Sequence, residues 1–203
     1  MLWMITDITR TPTVAATVDS IVRVAAAGVG KVTIRNDGIF CEKELCAAVV
    51  RIAAKCPRLR IFVAGTPALA KRCGAYGIHL RSSELSRISA TRAASPDLAI
   101  AVSTHAPAEF ERAFGSGANY AFYAPVFPPY SKPDDTRPTV APVKRNGLFL
   151  LGGIDRGRAE GLIRKGFYDL AAISLFYGQT AIDDVQYLSR LLNEVAHEDP
   201  DPA

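Results

Sequence analysis

Ala25–Ile34, AAAGVGKVTI, runs from the end of a helix-forming stretch through a glycine turn into a short apolar strand. The same order returns at Ala70–Leu80 (AKRCGAYGIHL), Ala113–Tyr123 (AFGSGANYAFY) and Ile163–Ile173 (IRKGFYDLAAI). Four copies of helix end, glycine, tight turn and buried strand mark an internal βα repeat. Outward from these copies, apolar runs stand at Leu2–Ile5, Lys31–Ile34, Arg60–Val63, Gly77–Leu80, Leu98–Val102, Tyr120–Tyr123, Leu148–Leu151 and Leu170–Ile173. They are continuous more than alternating, as expected of strands buried on both faces of a parallel sheet. Helical stripes lie between them: Val18, Ile21, Val22 and Ala25; Leu45, Val49, Ile52 and Cys56; Val185, Leu188, Leu192 and Val195. One βα unit per ~24 residues predicts an α/β fold, a single-domain (β/α)8 barrel of the TIM type near its minimum length. A doubly wound sheet is the alternative, but no G-x-G-x-x-G follows the first strand.

Punctuation agrees with the barrel. Thr66-Pro67 reads as an N-cap with proline at the first helical position, and Gly28, Gly74 and Gly115 read as residues just past helix ends. Asp183 and Asp184 suit the start of the last helix, where carboxylates favour the dipole. The segment from Phe127 to Asn146 is proline-rich with little helical pattern, so the sixth helix is expected to be shortened or missing. Residues 1–196 are assigned to the barrel and 197–203 to a disordered acidic tail.

Composition narrows function. The 203 residues are 49% apolar and 22% charged, an ordinary globular mixture, and the net charge of +4 comes without a basic run for nucleic acid. Cys41, Cys46, Cys56 and Cys73 follow no C-x-x-C spacing, and three histidines are too few for a thiolate–imidazole metal site. The cysteines read as small core or helix residues in a reducing compartment. The start, MLWMITD, has no basic n-region and no long apolar region, so it does not read as a signal peptide. The expected location is cytoplasmic.

In a barrel of this kind, strand C-termini and the following loops face the site. Position alone selects Asp7, Arg35, Ala64 with Gly65, residues 79–84, 103–105, 125–132, 152–155 and 174–178. Gly152-Gly153 after strand seven lets backbone N–H groups approach an anion without Cβ obstruction, and Ser174 after strand eight adds a hydroxyl and further N–H groups. A tight βα turn is the plain alternative. Arg35 offers a planar cation to an anionic ligand, or a rim ion pair with Asp37 or Glu84. His105 is a candidate general acid–base and Ser103 its neighbour; the alternative is a loop histidine that caps the next helix. His79, inside strand four, reads as a buried, hydrogen-bonded structural residue. Ser131 and Lys132 could fold over a ligand, or belong to a proline-stiffened surface loop.

Seven pieces, in order, carry a family resemblance: LWMITD (2–7), VTIRND (32–37), GAYGIHLRSSEL (74–85), VSTH (102–105), YAFYAPVFPPYSK (120–132), LLGGI (150–154) and AAISLF (171–176). With them the chain resembles the thiamin phosphate synthase/TenI superfamily over most of its length. The resemblance implies a thiamin-biosynthesis barrel whose partner is a small phosphorylated heterocycle. Gly152, Gly153, Ile173 and Ser174 would form a thiazole-phosphate cup. Arg35, Ser131 and Lys132 would approach a pyrimidine diphosphate, and Ser103 and His105 would line the centre. Neither nucleic acid nor membrane is an implied partner; a homodimer is compatible.

Departures from the synthase pattern shape the expected activity. Asp37 stands where the synthase has a lysine, Ala64 and Gly65 replace an Asn-Asp pair that serves diphosphate and Mg2+, and Pro129 replaces a threonine. Glu84 replaces a second Mg2+ carboxylate and is a weak metal candidate. Mg2+ needs hard oxygen ligands beside the substrate phosphates. No cofactor is therefore expected, and Mg2+ enters only for a synthase. The reading is a TenI-like thiazole tautomerase; the alternatives are a divergent thiamin phosphate synthase and a non-catalytic phosphate-ligand binder or regulator.

Overall fold

Eight parallel strands pair in sequence order, and the last pairs back to the first, closing a barrel. The structure, a computed structural model, describes residues 1–36, 38–128 and 138–198. The strands are β1 (Leu2–Ile5), β2 (Lys31–Ile34), β3 (Arg60–Ala64), β4 (Gly77–Leu80), β5 (Ala99–Thr104), β6 (Tyr120–Tyr123), β7 (Leu148–Leu150) and β8 (Leu170–Ala172). The helices are α1 (Val14–Ala26), α2 (Glu42–Lys55), α3 (Pro67–Cys73), α4 (Ile88–Ala94), α5 (Pro107–Gly115), α6 (Arg156–Arg164) and α7 (Ala181–Glu198). Among the described residues no helix lies between β6 and β7, as the proline-rich stretch predicts. The fold is the single-domain (β/α)8 barrel.

Two apolar clusters hold it together. The larger packs helix stripes on the outer face of the sheet, with Val18 and Ile21 of α1, Leu45, Val49 and Ile52 of α2, and Val185 and Leu188 of α7. The smaller fills the barrel with Trp3, Ile5, Phe62, Ala99, Ala101, Phe122, Phe149 and Ala171. These follow the two-residue alternation of a strand, so one parity points inward. The Trp3 ring lies 4.5 to 4.9 Å from Phe62, Phe122 and Phe149, and its indole N–H donates to Thr33 Oγ1 at 3.0 Å. Small residues stand on β5 and β8 because the indole takes their share of the interior. Below it, Lys31 holds its ammonium 4.9 Å from the Tyr120 centroid and 5.2 Å from Phe149. Burial pushes this ammonium below the usual lysine range.

Thr66 caps α3 as expected, accepting from the Leu69 N–H at 3.2 Å. Gly115 does not follow α5; it is the last residue of the helix, and Gly117 takes the left-handed turn beyond. α7 extends through Glu198, and residues 199–203 of the expected tail lie outside the described residues. No helix among the described residues is long and apolar enough to cross a membrane.

The cysteines require a correction. Cys46 on α2 and Cys73 on α3 form a disulfide, with Cα atoms 4.2 Å apart, while Cys41 and Cys56 are free thiols. The pair is 27 residues apart in sequence. Only the lateral packing of α2 on α3 brings the two together, which no local spacing encodes.

Candidate functional site

The register sets the level of each side chain at the barrel mouth. Ile34 pairs with Val63, and Ala64 pairs with His79, so Arg35, Ala64 and His79 share one level on three neighbouring strands. Ala64 ends in a methyl, and across it the Arg35 charge acts on His79. Burial, first, and the Arg35 guanidinium, second, lower the His79 imidazole to about 3. His79 is neutral, as buried imidazoles beside a cation must be. Its Nε2 lies 2.9 Å from Ser103 Oγ, and its ring stacks on Phe122 at 4.4 Å. Among the described residues its buried Nδ1 has no hydrogen-bond partner. His79 is buried and hydrogen-bonded as expected, and its partner Ser103 is what the sequence did not reveal.

His105 follows β5. Its Nδ1 is 2.7 Å from the Ala124 carbonyl, and its backbone N–H donates to Glu109 Oε2 at 2.7 Å. A carbonyl only accepts, so Nδ1 carries the proton and the neutral ring keeps its lone pair on Nε2. Helix α5 starts after its N-cap residue Ala106, with Pro107 in the first turn. Thr104 Oγ1 donates to the Phe122 carbonyl at 3.0 Å, so two successive bonds tie the end of β5 to β6.

Gly152 and Gly153 follow β7 and both have positive φ, 104° and 59°. A Cβ on Gly152 would meet Pro125, and one on Gly153 would meet the Phe127 and Pro128 carbonyls. The glycines are therefore required by the close approach of the β6 loop as well as by backbone conformation. The Phe127 N–H donates to the Gly152 carbonyl at 3.1 Å, and Arg158 donates to the Gly153 carbonyl at 2.6 Å. Next door, Ile173 packs against the barrel interior, and Ser174 opens a single 3-10 turn, Ser174–Phe176. Tyr177, just beyond, accepts the Asp7 N–H at 2.8 Å and so ties the β8 loop to the β1 loop. Asp7 is itself occupied, accepting from Thr9 and pairing with Arg10.

The mouth thus gathers Arg35, His79, Ser103 and His105 on the β2–β5 side, and Gly152, Gly153, Ile173 and Ser174 on the β7–β8 side. Ser131 and Lys132 lie outside the described residues, as do Asp37 and Pro129. Sequence reasoning passed over Arg158, and it selected Tyr177 by position alone without a role. Arg158 had a readable mark, since it and Arg156 place cations in the first turn of α6, against the helix dipole.

At the positions where the resemblance implies Mg2+ ligands, few side-chain oxygens stand. Ala64 and Gly65 bring no side-chain oxygen to the end of β3, and the Glu84 carboxylate is taken up by the Arg81 N–H at 3.0 Å and by Arg87. No group of three or more His, Cys, Asp or Glu converges among the described residues.

Comparisons with known proteins bear on the fold and the family. The thiamine-phosphate synthase of Neisseria meningitidis serogroup B is 29% identical over 170 residues, 79% of this chain and 82% of that protein. The thiamine-phosphate synthase of Saccharophagus degradans is 26% identical over 94% of this chain and 90% of its own length. Among solved structures, a thiamine phosphate pyrophosphorylase from Pyrococcus furiosus superposes with a TM-score of 0.80 at 20% identity, covering 96% of each chain. A 3-hexulose-6-phosphate synthase from Salmonella typhimurium gives 0.71 at 14% identity, over 96% of this chain and 99% of that one, a likeness of fold alone. The family described as thiamine monophosphate synthase matches residues 2–176, and the chain belongs to that family.

Proposed function

We propose that this barrel binds a thiazole phosphate and acts on it as a thiazole tautomerase in thiamin biosynthesis. The observation that carries the reading is His105, whose Nδ1 bond to the Ala124 carbonyl leaves Nε2 as the basic atom. The phosphate would sit against Gly152, Gly153 and Ser174, and the heterocycle would extend from them toward the β5 end. Nε2 takes a proton from a ring-associated carbon, the ring becomes imidazolium, and the same proton is returned at another position. No second substrate and no metal is consumed, which suits the end of β3, where Ala64 and Gly65 offer no ligand. Ser103, bonded to His79, orients the substrate or a water.

A second reading is a divergent thiamin phosphate synthase, and the names of the relatives favour it. The two differ in what they require. A tautomerase turns over a thiazole carboxylate phosphate alone; a synthase needs a pyrimidine diphosphate and Mg2+. Calorimetry with the diphosphate should show no gain in affinity on adding Mg2+, and tight metal-dependent binding would restore the synthase. In the tautomerase, His105→Gln should lower turnover by ~10²–10⁴-fold with binding and thermal midpoint nearly intact. A variant that melts earlier and turns over normally would return His105 to a structural role.

A further inference from the structure

We infer that Arg158 is a positioning residue, which presets two backbone donors of the β7 loop toward the β8 loop before any anion arrives. The inference rests on the reading of these loops as a phosphate cup and adds the residue that shapes it. In a planar trans peptide, the carbonyl of one residue and the N–H of the next point in opposite directions. The Gly152 carbonyl is held toward the β6 loop by the Phe127 N–H, at 3.1 Å. The Gly153 N–H therefore points away from β6. The two neighbours of β7 are β6 and β8, so away from β6 is toward β8 and Ser174.

The next peptide is set by Arg158. Its guanidinium donates to the Gly153 carbonyl at 2.6 Å and lies 4.9 Å from the Phe127 ring centroid, on the β6 side of the loop. The Ile154 N–H is thereby turned away from that side as well. Two successive N–H groups then face the β8 loop, the arrangement of an anion-binding nest. Arg158 is itself held, because its N–H donates to Asp155 Oδ1 at 2.9 Å and its Nε lies 3.7 Å from Asp155 Oδ2. A cation in the first turn of a helix opposes the dipole, so helix stability does not account for its place. The carbonyl it holds does.

The test uses the full chain, labelled with ¹⁵N and titrated with inorganic phosphate. In the unaltered protein the amide resonances of Gly153, Ile154 and Ser174 should shift saturably. Arg158→Met should move the Gly153 and Ile154 resonances even without phosphate, and weaken phosphate binding by about tenfold with little change in Tm. Arg158→Gln, neutral but still able to donate to the carbonyl, should recover most of the affinity. If Arg158→Met leaves both phosphate-free resonances unmoved, Arg158 does not orient the loop and the inference falls. If Arg158→Gln binds as poorly as Arg158→Met, the charge acts on the anion directly and positioning is overturned. Should the unaltered protein show no response to phosphate, the cup reading fails, while the phosphate-free resonances still decide what Arg158 does.

Discussion

His79 shows how a single residue is governed by its surroundings. In water its imidazole would take up a proton near pH ~6.5. Inside the barrel, burial and then the Arg35 charge lower that point to about 3. Between these values the unfolded chain binds more protons than the folded one, so stability falls as the pH falls. Above the higher value the ring is neutral in both states and contributes no slope. From pH 7 to pH 5 the loss attributable to His79 should be about 2 kcal/mol, at ~1.4 kcal/mol per pH unit. His79→Gln keeps a polar group for Ser103 and has no proton to gain. Urea titrations at both pH values should show the acid slope shrink by that amount in the variant. An unchanged slope would place the titration elsewhere.

Helices α2 and α3 are joined by more than packing. The Cys46–Cys73 disulfide closes a loop of 27 residues that contains β3 and the Ala64-Gly65 turn. Restricting a loop of that size in the unfolded chain is worth about 3–4 kcal/mol in the chain-entropy account. Reduction under native conditions should lower the unfolding free energy by about that much while leaving the far-ultraviolet circular dichroism of the folded protein unchanged. A chain insensitive to reductant, or two alkylatable thiols before reduction, would show that the pair is not joined in solution. The β7 loop makes the same point about elements. Gly152 and Gly153 stand out in sequence, but the β6 loop pressed against them, and Arg158 reaching back from α6, belong to segments that the chain brings together only on folding.

On the scale of the whole molecule, Trp3 is the piece on which the interior closes. It is fully buried, touches rings from β3, β6 and β7, and reaches His79 through Phe122. Trp3→Ala should cost about 3–5 kcal/mol, because the three strands whose rings surround it cannot collapse into the void without breaking register. Chemical denaturation measures the loss; a cost under ~1 kcal/mol would mean that the barrel repacks freely. How much of this was legible beforehand follows from the range of each interaction. Strand positions could be read because a strand buried on both faces must be locally apolar, and the mouth could be read because strand ends face it in any such barrel. Thus Arg35, Ser103, His105, Gly152, Gly153 and Ser174 were selected by position, and the polar C-terminal end of β5 was under-read by two residues, Ser103 and Thr104. The His79–Ser103 bond, the His105–Ala124 bond, the Arg158 clamp and the Cys46–Cys73 pair were not, since each joins residues on different elements. The sequence by itself determined the βα repeat and which residues reach the mouth, because those depend on local periodicity. Only the tertiary structure decided which of them touch, because contact depends on barrel register and loop approach that no single segment contains.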